Sequence, residues 1–355
     1  MNFELKPIID KHIELYFDSL LALLAKSQNK ENMHIYLALK EFVLNCGKRL
    51  RPIFLINAFK AVNGANVNIT KASLSVEFLH NSTLIHDDIM DEDDIRRNKP
   101  TIHKSMKQEF LKKFDDKPAT KLFTSLSTRH AVTEAICSGN ILYTLGMSVL
   151  SDSDAEPRLL KKAMQIYSGA YKTVNDGQVL DNKFEQSQPD ESQYLNMIEL
   201  KTANLFKAAV EIGAVLGNAT QAQLAALSGY AKEAAIAFQL QDDLLDLTKA
   251  KGNTFGSDIR KGKHTLILIK ALESSSQEQK KIILQILGNN SASQEQIQGV
   301  IDIFEETEAI DYVKNLAKAR IEHAKSYLNS AGLDIDIKAK QFFIELADFM
   351  LSRQN

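Results

Sequence analysis

Two short aspartate clusters are the residues of this chain best suited to do chemistry. The pattern D-D-x-x-D occurs at residues 87–91 and again at residues 242–246, each time at the end of an apolar stretch with helical spacing. Residues four apart share a helix face, so the outer aspartates of each cluster point the same way and repel unless a cation lies between them. Two such faces opposite each other suit Mg²⁺, which binds a few carboxylates together with substrate phosphates. The predicted metal ligands are Asp87, Asp91, Asp242 and Asp246.

Two simpler interpretations of the clusters are less satisfactory. Solvated acidic helix ends explain one cluster, but not the same pattern twice with basic residues nearby each time. An EF-hand loop needs acids at alternate positions and glycine at the sixth position. Counted from Asp87, the third residue is Ile89 and the sixth is Glu92, so the first cluster does not fit an EF-hand.

The composition of the chain indicates a helical globular protein. Of its 355 residues, 44% are hydrophobic and 25% are charged, and only 6 are Pro and 15 are Gly, which favours an all-α fold. The net charge of −2 argues against a nucleic-acid partner, and no run of about 18 uncharged apolar residues predicts a membrane span. The N-terminus is unlike a signal peptide, and the two cysteines lie far apart, which predicts a cytoplasmic protein with reduced thiols.

Long helices of one domain are predicted to position the clusters. We predict a single large helical domain over residues 1–355, without a flexible linker. Within it, a helix restarts after Pro52, and residues 95–101 form a loop. Uninterrupted helices are predicted over residues 157–176 and 192–216.

Four groups of basic residues accompany the two clusters. Arginine pairs with phosphate through two parallel hydrogen bonds, and lysine adds a point charge. Two carboxylate faces with several basic groups predict two negatively charged substrates, one bound through metal ions and the other directly by Arg and Lys. A single basic pair is usually solvated surface, but four groups around two metal-type motifs are not explained that way. The groups are Lys48 with Arg49 and Arg51, Arg96 with Arg97, Lys201 beside Thr202, and Lys261 with Lys263.

His80 lies seven residues before Asp87, on nearly the same side of the predicted helix. It can therefore face the same cleft two turns deeper, although a core histidine with satisfied hydrogen bonds is an alternative. A di-iron helix bundle is a further alternative, and it needs two Glu-x-x-His pairs. Glu77 and His80 form one such pair, but the other, Glu31 and His34, lies in a polar loop and helix start.

Several blocks of the chain resemble motifs of the trans-polyprenyl diphosphate synthases. Residues 86–103 (HDDIMDEDDIRRNKPTIH) are similar to the family's first aspartate-rich motif, and residues 238–246 (FQLQDDLLD) are similar to the second. Asn98 replaces the glycine that commonly follows the paired arginines, and residues 107–128 look like an insertion. Further matching blocks, in the family's order, are residues 47–52, 177–181, 199–203 and 256–263.

The resemblance implies about ten or more helices around a deep central cavity, usually in a homodimer. It implies transfer of the prenyl group of an allylic diphosphate to isopentenyl diphosphate, with about three Mg²⁺ ions per active site. By position, Asp87, Asp91 and Asp242 would hold Mg²⁺, and Asp88, Asp243 and Asp246 would support them. The residues implied to contact the allylic diphosphate are Arg96, Lys201, Thr202, Gln239 and Lys263. Those implied to hold isopentenyl diphosphate are Lys48, Arg51, His80 and Arg97.

The chemistry of such a transfer explains these residue types independently. Diphosphate departs and leaves an allylic cation, so Mg²⁺, Lys and Arg stabilise the negative charge that develops on the leaving group. Water must be excluded because it would quench the cation, and the double bond of the second substrate must be oriented. No protein nucleophile is required, and the resemblance implies that the departed diphosphate is the base.

The residues before the first cluster predict the product length. In short-product members of the family, a large aromatic residue four or five positions before the first aspartate closes the cavity floor. Here the small residues Thr83 and Ser82 hold those positions, and one helical turn deeper, about 5.4 Å, lie Phe78 and Leu79. A deeper floor favours geranylgeranyl diphosphate (C20) or a somewhat longer product, and Ser82→Phe should shorten it. If a neighbouring helix closes the cavity instead, for example through Phe54, a farnesyl diphosphate synthase is the alternative.

Two other functions share parts of this pattern. A non-catalytic subunit of a heteromeric prenyl synthase usually lacks one aspartate motif, whereas this chain has both. A terpene cyclase shares the helical bundle and a first acidic motif, but it does not need basic residues for a second diphosphate. Activity that depends on isopentenyl diphosphate would distinguish the synthase from the cyclase.

Overall fold

Helices make up most of the structure and there is almost no sheet among the residues that it describes, so the predicted all-α fold is confirmed. The computed structural model describes residues 4–45, 47–65, 67–119, 122–248, 255–330 and 332–352. The first helices are α1 (Leu5–Leu24), α2 (Met33–Leu44), α3 (Leu50–Ala61), α4 (Ile69–Met90), α5 (Ile102–Lys113), α6 (Leu126–Ser151) and α7 (Pro157–Phe184). They are followed by α8 (Glu191–Ile198), α9 (Asn204–Leu216), α10 (Gln221–Asp246), α11 (Ser257–Lys261), α12 (Leu266–Ser274), α13 (Gln277–Ile286), α14 (Gln294–Glu306), α15 (Ala309–Leu328) and α16 (Ile337–Ser352). Among the helices described, none combines the length and the apolar character needed to cross a bilayer.

The two aspartate clusters lie at the C-terminal ends of the long helices α4 and α10. Both helices begin with a cap: the Asn68 side chain accepts a hydrogen bond from the N–H of Lys71, and Thr220 and Gln223 form a capping box. Both are buried over much of their length, as expected for helices inside a bundle. α4 packs against α6, α3 and α9, while α10 packs against α15 and α9. Packing on several sides therefore fixes the helices that carry the clusters.

Buried apolar residues of α4 belong to two separate clusters. Ala72, Val76 and Leu79 pack in the larger cluster, together with residues of α3, α7, α9 and α10. Leu74 and Phe78 pack in the smaller cluster, together with residues of α1, α2 and α6. The helix therefore presents different residues to two parts of the protein, and only one of these parts contains α10.

The start of α3 differs from the sequence prediction. The helix begins at Leu50 and not after Pro52. Arg49 has a left-handed backbone with φ 54° and ψ 33°, and its carbonyl already accepts a hydrogen bond of 3.1 Å from the N–H of Ile53. Pro52 is tolerated because N–H groups in the first helical turn have no partner within the helix.

A short β-hairpin, with two residues in each strand, follows the first aspartate cluster, where the sequence predicts a loop. Its strands, β1 (Ile95–Arg96) and β2 (Lys99–Pro100), pair in antiparallel orientation. The turn residues Arg97 and Asn98 both have positive φ, 51° and 62°, as a type I′ turn requires. Asparagine adopts this conformation more readily than most residues, which explains how Asn98 can replace glycine here.

Two further helix limits differ from the prediction. α7 continues to Phe184 instead of ending at residue 176, because Gly177 serves as a point of close approach between helices and does not end one. The predicted helix over residues 192–216 is divided into α8 and α9 by a π-helical turn, Glu199–Ala203. Such turns occur frequently at functional sites, and this one contains Lys201 and Thr202.

The predicted insertion, residues 107–128, comprises the end of α5, a connection and the first residues of α6. The Asp116 carboxylate accepts hydrogen bonds from the backbone N–H and the hydroxyl of Ser127, at 3.0 and 2.7 Å. Lys107 Nζ donates to Thr128 Oγ1 at 3.0 Å. These contacts tie the first residue and the middle of the segment to the start of α6.

Candidate active site

A cavity of about 840 Å³ reaches from the start of α3 to the ends of α4 and α10. Most of the residues predicted from the sequence line it: Lys48, Arg51, His80, Thr83, Asp87, Arg96, Arg97, Lys201, Thr202, Gln239 and Asp242. Other predicted residues do not form its wall: Phe78, Leu79, Ser82, Asp88, Asp91, Asp243, Asp246 and Lys263. The structure therefore brings both aspartate motifs and three of the four basic groups to one cavity.

The first aspartate cluster is surrounded by cations. Arg96 Nε lies 2.5 Å from Asp88 Oδ1, and its Nη2 lies 3.4 Å from Asp87 Oδ2. Burial raises the pKa of Asp88 to about 6, although Arg96 opposes this shift. Burial, together with the charge of Asp87, also raises the pKa of Asp91, and Lys263 lies 3.6 Å from its carboxylate. A cation bound between these carboxylates would favour their ionised forms, which burial disfavours.

Lys201 connects the first cluster with α7. Its Nζ lies 3.2 Å from Asp87 Oδ1 and 2.6 Å from Asp181 Oδ2. Burial alone would lower the pKa of Lys201, but Asp87 and Asp181 outweigh it and raise the pKa, so the side chain stays ionised. Lys263 shares Asp181 at 3.3 Å and also contacts Glu185 at 2.7 Å. Asp181 therefore holds two lysines beside the cluster.

In the second cluster the aspartates have different surroundings. Asp242 lines the cavity. Asp243 is buried and accepts hydrogen bonds from the Tyr194 hydroxyl and from Gln239 Nε2, the latter at 2.9 Å. Burial and then the charge of Asp258 raise its pKa well above the usual value. Asp246 is also buried, and its Oδ2 accepts a hydrogen bond of 2.9 Å from the N–H of Asp258, which joins α10 to the start of α11.

The carboxylates fit the predicted Mg²⁺. Asp88 Oδ2 is buried without a hydrogen-bond donor, and Asp87 Oδ1 has the nearby Lys201 but no hydrogen bond of good geometry. Carboxylate oxygens are the ligands that Mg²⁺ prefers. Within the described ranges, no three His, Cys, Asp or Glu side chains are grouped as a metal site on their own. Ligands would therefore have to come from both motifs and from a bound diphosphate together.

The part of the cavity beside the start of α3, which we call its basic end, is lined by basic residues. Lys48, Arg51, His80 and Arg97 all line it. The Arg51 guanidinium lies over the Phe206 ring, 4.4 Å from its centroid. Burial lowers the pKa of Arg51 to about 10, so it is still charged at neutral pH. Burial and then Arg51 and Arg97 hold the pKa of His80 well below its usual value, so its ring is neutral.

The residues predicted to form the cavity floor lie on different sides of α4. Thr83 lines the cavity. Ser82 is buried, and its hydroxyl donates to the Leu79 carbonyl at 2.7 Å. Phe78 packs against the rings of Tyr16 and Phe17 on α1, with centroid separations of 5.3 and 5.6 Å. The structure thus places Phe78 against α1 and not in the cavity wall.

Sequence reasoning missed the contacts of several residues that shape the site. Asp181 belongs to a block that resembles the family, but its hydrogen bonds to two lysines become visible only when α7 lies beside α9. Tyr194 lies in an ordinary amphipathic helix, and nothing in its spacing indicates Asp243 as its partner. Arg49 was grouped with the phosphate-binding residues, but its side chain forms ion pairs with protein carboxylates, Asp10 and Glu77.

Comparison with known proteins gives a consistent result. Residues 32–304 match the model of the polyprenyl synthetase family. The chain is 35% identical to a geranylgeranyl diphosphate synthase of Methanosarcina mazei, over 97% of this chain and 95% of that protein. It is 30% identical to a geranylfarnesyl diphosphate synthase of Natronomonas pharaonis, over 86% of each chain. A geranylgeranyl pyrophosphate synthase of Corynebacterium glutamicum, crystallised with isoprenyl diphosphate and magnesium, superposes with a TM-score of 0.88 at 25% identity, over 99% of this chain and 100% of that one. The chain belongs to the polyprenyl synthetase family.

Proposed function

We propose that this protein is a Mg²⁺-dependent trans-prenyltransferase that joins an allylic diphosphate to isopentenyl diphosphate. The observation that carries the proposal is a single cavity with two kinds of anion site. Asp87 and Asp242, which come from the two aspartate motifs, line its acidic end, and Lys48, Arg51 and Arg97 line its basic end beside the start of α3. A terpene cyclase uses one diphosphate and has no need of the second site.

The acidic end is proposed to bind the allylic diphosphate. Asp87, Asp91 and Asp242 would hold about three Mg²⁺ ions there, with Asp246 as a further ligand. When bound, the metal neutralises the charge that develops on the departing diphosphate. Asp88 and Asp243 are proposed to support the ligands through their contacts with Arg96, Gln239 and Tyr194. The residues proposed to contact the diphosphate directly are Arg96, Lys201, Thr202, Gln239 and Lys263.

The basic end is proposed to bind isopentenyl diphosphate without metal. Lys48, Arg51 and Arg97 supply positive charge, and Arg offers paired donors that match a phosphate. His80 is neutral in this environment, so it contributes a hydrogen bond and no charge. Because only the allylic diphosphate is proposed to bind through metal ions, removal of Mg²⁺ should weaken its binding more than the binding of isopentenyl diphosphate.

The reaction itself requires positioning more than reactive side chains. The bond between the allylic carbon and its diphosphate breaks, and the double bond of isopentenyl diphosphate attacks the same carbon. A proton is then lost from the new chain to the departed diphosphate. Lys201 remains charged beside Asp87 and can stabilise the leaving group, while Phe206 and Phe238 give the cavity apolar walls that exclude water.

We propose that the product is geranylgeranyl diphosphate or a somewhat longer prenyl diphosphate. Thr83 is small and lines the cavity. Leu79 and Val76 lie one and two turns deeper, in the same buried cluster as the walls on α7 and α9. Of these residues only Thr83 lines the cavity, and we propose that Leu79, Val76 and Ser82 limit its depth from behind Thr83.

Substitution of the wall residues tests the floor. Thr83→Phe should shorten the product because the ring enters the cavity directly. Ser82→Phe should also shorten it, by displacing buried neighbours of α4. Phe78→Leu provides a control, since Phe78 packs against α1 and should not change the product length. Unchanged chain length in both Phe variants would reject this floor.

The function is tested by incubating the purified protein with Mg²⁺, labelled isopentenyl diphosphate, and dimethylallyl, geranyl or farnesyl diphosphate in turn. Products are dephosphorylated and sized by chromatography. A product of C20 or longer is expected, whereas a C15 product would support the farnesyl diphosphate synthase instead. Asp87→Asn should abolish elongation, and Asp311→Asn, an exposed aspartate on α15, should not. Folded protein without elongation from any starter would refute an active synthase and favour a non-catalytic subunit.

We also propose a cytoplasmic homodimer. α6 and α7 expose apolar side chains, among them Ile136 and Val179, which are 44% and 68% accessible. A second copy of the chain would cover this surface. Light scattering coupled to size exclusion should give twice the mass of the chain, and Ile136→Asp should lower it to that of one chain.

A further inference from the structure

Arg49 is a fully buried arginine to which the proposed reaction assigns no role. Its side chain comes first by volume among the fully buried side chains that the structure describes. Nε donates to Asp10 Oδ1 on α1 at 2.6 Å, and Nη1 donates to Glu77 Oε1 on α4 at 2.7 Å. Asn81 Nδ2 donates to the same glutamate oxygen at 3.1 Å, which fixes that carboxylate. One guanidinium thus joins two helices that are far apart in the sequence.

The backbone at Arg49 is held in a conformation that arginine adopts rarely. Its φ of 54° lies in the left-handed region, which costs an L-residue about 1 kcal/mol and persists only where the surroundings enforce it. Lys48 precedes Arg49 directly, and Arg51 follows two residues later in the first turn of α3. Both neighbours line the basic end of the cavity. The contacts that hold Arg49 therefore also hold the backbone that carries the side chains of Lys48 and Arg51.

The same contacts keep several positive charges together. A Cβ atom on Gly47 would lie 3.0 Å from Arg49 Nη1 and 3.4 Å from Arg97 Nη1, so the two guanidinium groups approach the same point. Asp10 and Glu77 neutralise Arg49 and so reduce its repulsion of the other cations. Burial alone would raise the pKa of Asp10, but Lys6 and Arg49 outweigh it and lower the pKa, so the carboxylate is ionised.

We infer that Arg49 is a positioning residue for the isopentenyl diphosphate pocket, and that the N-terminal helix α1 takes part in binding this substrate through Asp10. The inference rests on the proposed function, because it takes the basic end of the cavity as the isopentenyl diphosphate site. Arg49 acts through its neighbours: it orients Lys48 and Arg51 and need not touch the substrate. The proposed allylic site is formed by other side chains and does not depend on it.

Two conservative variants test the inference. Arg49→Lys keeps the charge but cannot bind two carboxylates on different helices, since an ammonium lacks the fork of donors. Asp10→Asn keeps the shape of the α1 side chain and removes its charge. Each should raise the KM for isopentenyl diphosphate by about tenfold or more, the effect of one lost charge-assisted hydrogen bond. The KM for the allylic diphosphate should stay within about twofold.

The control is Asp18→Asn on the same helix. Asp18 forms an ion pair with Lys40 of α2 at 2.5 Å, far along α1 from the cavity. This variant removes an ion pair of α1 in the same way but should leave both KM values unchanged. If Arg49→Lys does not fold, Asp10→Asn and this control still decide the question.

Direct binding separates this inference from the proposed function. Isopentenyl diphosphate alone cannot react, so calorimetric titration of the full-length enzyme measures its affinity without turnover. If the unmodified protein does not bind it, the proposed function fails. If the protein binds it and Asp10→Asn and Arg49→Lys bind it equally well, the positioning role is refuted. The positioning role is also refuted if the variants lose affinity for both substrates equally and unfold at a lower temperature. That result would indicate general destabilisation of the protein.

Discussion

Gly177 on α7 allows the closest approach between α7 and the π-helical turn that carries Lys201. A Cβ atom added at this position would lie 2.4 Å from the backbone nitrogen of Lys201 and 2.8 Å from its Cα. Ordinary contacts begin near 3.4 Å, so Gly177→Ala must separate the two backbones by 3.4 − 2.4 = 1.0 Å. Neither backbone segment can simply rotate aside as a flexible side chain would.

The effect on stability should be small and the effect on activity large. Overpacking costs about 1–3 kcal/mol, and the better helix propensity of alanine offsets about 1 kcal/mol of that. The displaced residue is Lys201, which lies 3.2 Å from Asp87 and 2.6 Å from Asp181. Misplacement of a catalytic group by about 1 Å lowers rates by about 100-fold. We therefore expect kcat/KM for the allylic substrate to fall by about 100-fold in a protein that still folds.

Two other glycines provide matched controls. Gly169 lies on α7 as well, and Gly299 lies on α14, and a Cβ atom at either position would have no neighbour within 4 Å. Gly169→Ala and Gly299→Ala should stabilise the protein by up to about 1 kcal/mol and leave activity unchanged. Urea unfolding followed by circular dichroism, with steady-state kinetics, measures both quantities. If Gly177→Ala matches these controls in activity, the close approach does not position Lys201.

Three further predictions concern other parts of the site. His80→Gln should make the free energy of unfolding less sensitive to acid. In the folded protein the pKa of His80 is well below 6.5 and the ring stays neutral, whereas in the unfolded chain the ring takes up a proton below about pH 6.5. The parent protein therefore loses stability below that pH, and the variant should lose less. Unfolding free energies of variant and parent at about pH 7.5 and 5.5 should show the difference. Tyr194→Phe should cost about 1–3 kcal/mol in urea unfolding, because the buried Asp243 loses a donor. Asn98→Val should cost about 1–2 kcal/mol and weaken isopentenyl diphosphate binding by displacing Arg97, while Asn98→Gly should be tolerated, as thermal unfolding and titration will show.

The sequence was sufficient to predict the helical architecture and the helices that carry the two aspartate motifs. Periodicity and spacing indicate that Asp87 and Asp242 lie at helix ends, and both line one cavity in the structure. Charge type alone placed Lys48 and Arg51 together with Asp87, because phosphate chemistry needs both signs of charge in one site. These features could be predicted because the signals for them lie in short stretches of the chain or in its composition.

Features that depend on tertiary contacts were not predictable. The left-handed backbone of Arg49 is not visible in a sequence, and neither are the ion pairs that its side chain forms with Asp10 and Glu77, so it was counted simply as one member of a basic group. The helix predicted to end at residue 176 continues to Phe184, and Gly177 inside it admits the backbone of the π-helical turn at Lys201, a contact that the sequence does not show. Phe78 was placed in the cavity by counting one turn, although the direction of a side chain around the helix axis decides which side it faces.

The division of α4 between two buried clusters has a consequence for how such an enzyme can diversify. The side chains proposed to set the depth of the cavity, such as Thr83 and Val76, do not belong to the cluster that packs α4 against α1, which includes Phe78 and Leu74. A mutation that enlarges or shortens the space for the product therefore leaves the anchoring contacts in place. New product lengths become accessible through single substitutions in a protein that keeps its fold, so natural selection can change the product without first acquiring compensating mutations.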